Sequence, residues 1–238
     1  MDITIKNRTI SRQELQLIAV LTMLTDHIAC ALIREAEYPV LYMMLRLVGR
    51  LAFPLYCYMI VQGLFFTQNV IRYLERLFFF AVLSEIPYDL AIMHRLVSFQ
   101  SQNVLFTLGI GLAVIAFWEE SKKHPLVNSL TGQTLLGLGV LAACCLAAWA
   151  LRADYGGWGV LLIFLLYMPV EYPVQRYCWM ALWGIGCGGK EVLAVLAVPL
   201  MERYDPDRPQ HLPGWFMYLF YPAHLAILGI LRYLQLKP

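Results

Sequence analysis

Charge is what this sequence has least of. Only 14% of its 238 residues are Asp, Glu, Lys or Arg, against roughly a quarter in an ordinary soluble domain. With 60% apolar residues and a mean hydropathy of +0.62, that shortage excludes a soluble fold and implies a chain crossing a membrane several times. The net charge is only +2, and the basic residues are scattered through loops, which argues against a nucleic-acid partner. Cys30, Cys57, Cys144, Cys145, Cys178 and Cys187 all lie in or beside apolar runs. They fit neither a disulfide framework nor a metal-ligand spacing, and read as packing residues. No A-x-A-like cleavage site follows the first apolar span, which is therefore expected to stay as a helix. No repeat of spans supports an inverted-repeat transporter.

The apolar runs are punctuated by short polar segments. Spans are expected at about Leu15–Ile33, Leu41–Phe66, Leu74–Met93, Val104–Trp118, Leu135–Leu151, Trp158–Val170 and Trp215–Leu234. Cys178–Met201 is apolar but broken by GIGCGGKE, so it is one span with an unwound middle or two half-spans. About 20 apolar residues are needed to cross the hydrocarbon. The expected fold is all-α, a polytopic helix bundle with eight to nine transmembrane helices. Residues 1–238 read as a single transmembrane domain, with 1–13 a cytoplasmic N-terminal segment and 202–214 an aqueous loop. Basic residues gather in the N-terminal segment, at Arg72/Arg76 and at Lys122/Lys123, with only Arg34, Arg95 and Arg152 in the alternate loops. The positive-inside rule then places the N-terminus in the cytoplasm.

Ionisable residues inside the spans are where function is expected, because a charge at membrane depth is costly and faces a cavity or a partner. Asp26 and His27 lie about two-thirds through the first span. Adjacent residues do not share a helical face, so Asp26 is expected to meet a neighbouring helix and the two are not a dyad. Arg46 and Arg50, four apart on the second span, share a face. Two readings of them are open: counter-charges from Glu85 and Asp89, also four apart, or the phosphates of a cofactor, which suit the planar guanidinium fork. Pro54 and Pro87 are expected to kink their helices beside these charges. His27 is either a hydrogen-bonded bundle histidine or a base taking a proton from an attacking amine or hydroxyl. Ser101-Gln102-Asn103 can cap the fourth span or bind a carbonyl. ADYGGWG reads as a turn. YLFYPAHL sets Tyr221 and His224 three apart on the last helix, broken by Pro222.

LIAVLTMLTDHIA, LRLVGRLAFPLYCYMIVQGLFFT, RYLERLFFFAVLSEIPYDL, QNVLFTLGIG, DYGGWGVLLI and YLFYPAHLAIL occur in that order across most of the chain. Together they resemble the TraX family. TraX proteins look like compact relatives of the transmembrane acyltransferases, and the family's best-described activity is acetylation of an F-type pilin N-terminus. The resemblance implies a transmembrane acyltransferase-like fold in a bacterial cytoplasmic (inner) membrane. It also implies acetyl-CoA as acyl donor, membrane lipid as surroundings and a peptide or glycan as acceptor. His27 stands where that superfamily's essential histidine ends an apolar first span. The superfamily's arginine-bearing second span and Tyr/His-rich final one are similar to Arg46, Arg50, Tyr221 and His224, which implies His224 as catalytic and Arg46, Arg50 and Tyr221 as donor-binding. Asp26, beside His27, is read with the catalytic residues, and the amides of Gln102 and Asn103 with the donor-binding ones. Asp26 departs from the superfamily pattern, which has an apolar residue before the histidine. Two other classes use polar residues inside spans equally well: a secondary transporter or proton-coupled permease, and a membrane scaffold.

Overall fold

A computed structural model describes residues 9–123, 130–209 and 212–235. Lys6 and Arg8 of the expected cytoplasmic segment, and residues 210–211 of the expected aqueous loop, lie outside the described residues. Helices α1 (Arg12–Leu32), α2 (Pro39–Gly49), α3 (Ala52–Phe66), α4 (Val70–Tyr88), α5 (Val104–Ser121), α6 (Leu130–Ala150), α7 (Gly156–Tyr167), α8 (Pro173–Gly186), α9 (Val198–Glu202) and α10 (Phe216–Gln235) dominate the described chain. A π-helical turn, Asp89–Met93, follows α4, and a 3-10 helix, Lys190–Ala197, precedes α9. Five of the helical segments are long and apolar enough to cross a membrane: Arg12–Leu32, Pro39–Phe66, Val104–Ser121, Thr131–Ala150 and Phe216–Gln235. The chain is a helical membrane protein, and among the described residues length and apolarity single out five spans where eight to nine were expected. The difference lies in α4, which carries Arg72, Glu75, Arg76 and Glu85, in α7, which is only 12 residues long, and in α8, which does not continue as one rod.

The chain divides into two compact units. The first comprises Met1–Tyr56, Pro87–Leu96 and Val170–Pro238. Its α1 starts where Ser11 and Glu14 form a reciprocal capping box, with Ser11 N donating to Glu14 Oε2 at 2.7 Å and Glu14 N to Ser11 Oγ at 3.2 Å. Just before it, the strand β1 (Ile10–Ser11) pairs in parallel with β2 (Tyr204–Asp205), and the Arg208 guanidinium donates to the Thr9 carbonyl. Helices α2 and α10 and the π-helical turn all pack on α1. Close approach there has a specific cause: a Cβ on Gly49 would lie 2.3 Å from Asp26 Oδ1, so only glycine lets α2 seat against α1 at that point.

Two helix boundaries differ from expectation. The second span breaks at Arg50–Leu51, and Pro54 falls in the first turn of the new helix α3, where a missing N–H costs nothing. The last helix, expected to break at Pro222, runs through it, forgoing only the bond Pro222 would have donated to Tyr218. The GIGCGGKE segment resolves the Cys178–Met201 ambiguity in favour of two pieces. Gly188 and Gly189 adopt φ of 98° and 85°, a region open to glycine, and the 3-10 helix then packs back on α8. Gly184 makes room for it, since a Cβ there would meet Val192 N at 2.5 Å.

The second unit comprises Cys57–Ile86 and Val97–Pro169. Helices α5, α6 and α7 pack on one another, with Trp118 edge-on to Phe164 at 5.0 Å between ring centres. The outer face of α6 carries exposed Leu135, Leu146 and Trp149, as expected of a helix whose neighbour is lipid.

Candidate functional site

In the first unit, the residues singled out in the sequence converge on α1. His27 Nδ1 lies 2.7 Å from His224 Nε2, and His224 Nδ1 lies 2.7 Å from the carbonyl oxygen of Phe220. The His27 and His224 rings are within 4° of parallel with centres 5.0 Å apart. That separation is the N–N distance plus one ring radius at each end, so the rings meet edge to edge in a common plane and the hydrogen bond runs along the lone-pair direction. Phe220 stacks on His224 at 4.8 Å between centres. Tyr221 presents an edge to both imidazoles, 6.2 Å from His27 and 5.6 Å from His224. Helical spacing explains the cluster: Phe220 and Tyr221 lie four and three residues before His224, the two spacings that bring side chains together on a helix.

Asp26 points elsewhere. Its Oδ2 accepts from Arg46 on α2, whose Nη1 also lies 2.9 Å from Cys30 Sγ. Arg50, which caps α2, donates to Glu191 of the 3-10 helix. Side-chain exposures are 26% and 19% for Arg46 and Asp26, and 13% and 9% for Arg50 and Glu191. Buried charges are tolerated when paired, and here two guanidiniums and two carboxylates balance to zero. One oxygen of each carboxylate, Asp26 Oδ1 and Glu191 Oε2, is buried without a hydrogen bond among the described residues. The expected counter-charges were Glu85 and Asp89. Arg46 pairs with Asp26 and Arg50 with Glu191, pairings that their four-residue spacing did not point to.

A family model described as TraX protein matches residues 11–232. The chain belongs to the TraX family. The match takes in both histidines, both arginines, Asp26 and Glu191. This TraX chain is also 28% identical, over 251 aligned positions covering 94% of it and 96% of its relative, to a protein of Dichelobacter nodosus named "Probable fimbrial assembly protein FimC, serogroup H1". No solved structure matches it.

Gln102 and Asn103 belong to the second unit of the TraX chain. Asn103 is fully buried and caps α5, its Oδ1 accepting from Leu105 N at 3.1 Å. Its Nδ2 donates to the Ala81 carbonyl at 2.8 Å and to Glu85. Gln102 bridges in parallel to Ala153 through its backbone, and the ADYGG turn is fastened by Thr107 Oγ1, which donates to the Asp154 carbonyl. Three segments noticed in the sequence thus form one polar knot, and Asn103's amide is engaged within it. Glu191 went unnoticed in the sequence. The signal was present: a carboxylate immediately after GIGCGGK and inside an apolar stretch meets the same criterion that picked out Asp26.

Proposed function

We propose that this TraX protein is a membrane-embedded acyltransferase. It moves an acetyl group from acetyl-CoA to an amine, or alternatively a hydroxyl, with His27 as general base. The observation that supports this reading is the contact of His27 with His224: its ring bonds to a second imidazole, and the neighbouring charges Asp26 and Arg46 are paired with each other. A neutral imidazole can take a proton at physiological pH. In the step, the acceptor nitrogen attacks the thioester carbonyl, forming a C–N bond as the C–S bond breaks. The acceptor's proton passes to His27 and is returned to the departing thiolate.

The donor's phosphates need cationic partners, and the cluster limits which can serve. Arg50 is committed to Glu191 and nearly buried. Arg46 is more exposed and has guanidinium donors beyond those facing Asp26 and Cys30, so Arg46 is the one we assign to the donor, beside Tyr221. The FimC relative's name points to fimbrial assembly, and we take as acceptor an amine of a fimbrial subunit, such as its N-terminus, in the inner membrane.

The test is acetyl transfer by purified protein in liposomes to a panel of peptide amines and sugar hydroxyls. His27→Ala should lose about 10²–10⁴-fold in rate while acetyl-CoA still raises its melting temperature, as a native-state ligand must. A folded His27→Ala protein transferring at the parent rate overturns the mechanism. A parent that neither transfers acetyl nor responds to acetyl-CoA puts proton-coupled transport in its place.

A further inference from the structure

We infer that His224 is a positioning residue that fixes the tautomer of His27, so that Nε2 is the nitrogen of His27 that works. The inference rests on the proposed role of His27 as base, and extends it to a named atom and a second residue.

The assignment follows from donor and acceptor chemistry. A carbonyl oxygen only accepts, so the proton shared with Phe220 O at 2.7 Å belongs to His224 Nδ1. A neutral imidazole carries one N–H, which leaves His224 Nε2 with a lone pair. That lone pair faces His27 Nδ1 at 2.7 Å, so His27 Nδ1 holds the proton of the shared bond. His27 is then left with its lone pair on Nε2. The carbonyl of α10 thus dictates, through two imidazoles, where the base on α1 keeps its free electron pair.

The arrangement is held from several sides. His224 is 5% exposed, so water does not compete for its nitrogens. Phe220 grips it twice, by its carbonyl and by its ring. The coplanar contact suits a role beyond orientation. When Nε2 of His27 takes the acceptor's proton, the positive charge spreads to Nδ1–H, and its bond to His224 becomes charge-assisted and stronger. This is the task that a buried carboxylate performs for the base of a catalytic triad. Asp26, although next in sequence, is unsuited to it because Arg46 holds it toward α2.

The experiment uses the full chain with ring-15N-labelled histidine in liposomes at neutral pH, with His27 and His224 signals assigned by single replacements. The expected spectrum shows His27 protonated on Nδ1 and bare on Nε2, and a proton on Nε2 instead overturns the inference whatever the activity. Two variants probe the acceptor directly. His224→Phe keeps ring and volume but loses the acceptor. It should move the His27 proton toward a mixture of tautomers and lower kcat about 10²-fold with KM little changed. His224→Gln offers an amide oxygen at similar reach, and should restore the Nδ1–H tautomer and bring kcat back to within about tenfold of the parent. A His224→Phe protein with the parent's tautomer and kcat overturns the inference. If the parent shows the expected tautomer but no acetyl transfer, the acyltransferase reading falls and the tautomer assignment stands on the spectrum.

Discussion

Arg50 and Glu191 keep only 13% and 9% of their side chains exposed, and the consequence is that neither tolerates losing the other. Removing one partner of a buried pair leaves an uncompensated charge, at a cost of about 3–5 kcal/mol, whereas replacing both by apolar residues is often neutral. Arg50→Met alone should therefore lower the melting temperature sharply, and Arg50→Met with Glu191→Leu should recover most of the loss. A double variant as unstable as the worse single one would show that the pair does not act as a unit. The same logic separates the arginines by function. Arg46→Gln should weaken acetyl-CoA binding in a titration by thermal shift, while the stability-restored Arg50 double variant should bind acetyl-CoA as the parent does. At this scale the sequence was informative about which residues matter and poor on who meets whom. His27, His224, Arg46 and Asp26 stood out because ionisable groups are rare inside apolar spans. The Asp26–Arg46 and Arg50–Glu191 pairings are tertiary, the latter joining residues far apart in the chain, and no local spacing encodes them.

Elements carry these residues to each other through glycine. Gly184 on α8 faces backbone atoms of Glu191 and Val192, with Glu191 C only 2.6 Å from where a Cβ would sit. Backbone cannot rotate aside as a side-chain tip can, so Gly184→Ala must push the 3-10 helix off α8 and take Glu191 with it. Overpacking of this kind costs roughly 1–3 kcal/mol. Gly184→Ala should lower the melting temperature by an amount that shrinks when Arg50 is already Met, because the pair it disturbs is then absent. Gly139→Ala on α6, where a Cβ meets nothing within 4 Å, is the control and should leave stability unchanged or raised. Equal losses in the two variants would remove the packing explanation. Helix positions were legible because apolar runs and polar breaks set them, as for α1, α5, α6 and α10. What was not legible is where a run bends. The break at Arg50–Leu51 and the continuity of α10 through Pro222 were not given by local residues, whereas the glycines of GIGCGGKE marked the return of the chain at Gly188–Gly189.

Topology of the whole molecule is constrained by α1 and α10. At the start of α1, Thr9 and Ser11 are tied to the 203–208 segment through the β1–β2 pair and Arg208. At its other end, the Ala31 carbonyl accepts from Arg232, in the last turn of α10. The two helices therefore run in the same direction. Two spans that run the same way, first and last in order, require an odd number of complete crossings from α1 to α10. Five spans satisfy this, as would nine, and eight does not. The Glu37 loop and the C-terminal end of α10 then share one face of the membrane, while Thr9 and Asp207 share the other. The basic residues of the loops put the Thr9 face in the cytoplasm, a placement we propose. His27, in the last third of α1, then lies nearer the opposite face, and in the acyl transfer we propose an acceptor outside the cytoplasm would have a shorter path to it than the acyl donor. To test this, single cysteines are placed at Thr9, Glu37, Asp207 and Gln235 in a protein whose six native cysteines are replaced by alanine. Intact cells are treated with a membrane-impermeant maleimide. Glu37 and Gln235 positions should react, and Thr9 and Asp207 positions only after permeabilisation. Reaction of Glu37 and Gln235 on opposite faces would contradict the parallel course of α1 and α10, while reaction of all four in the reverse pattern would keep that course and invert the orientation.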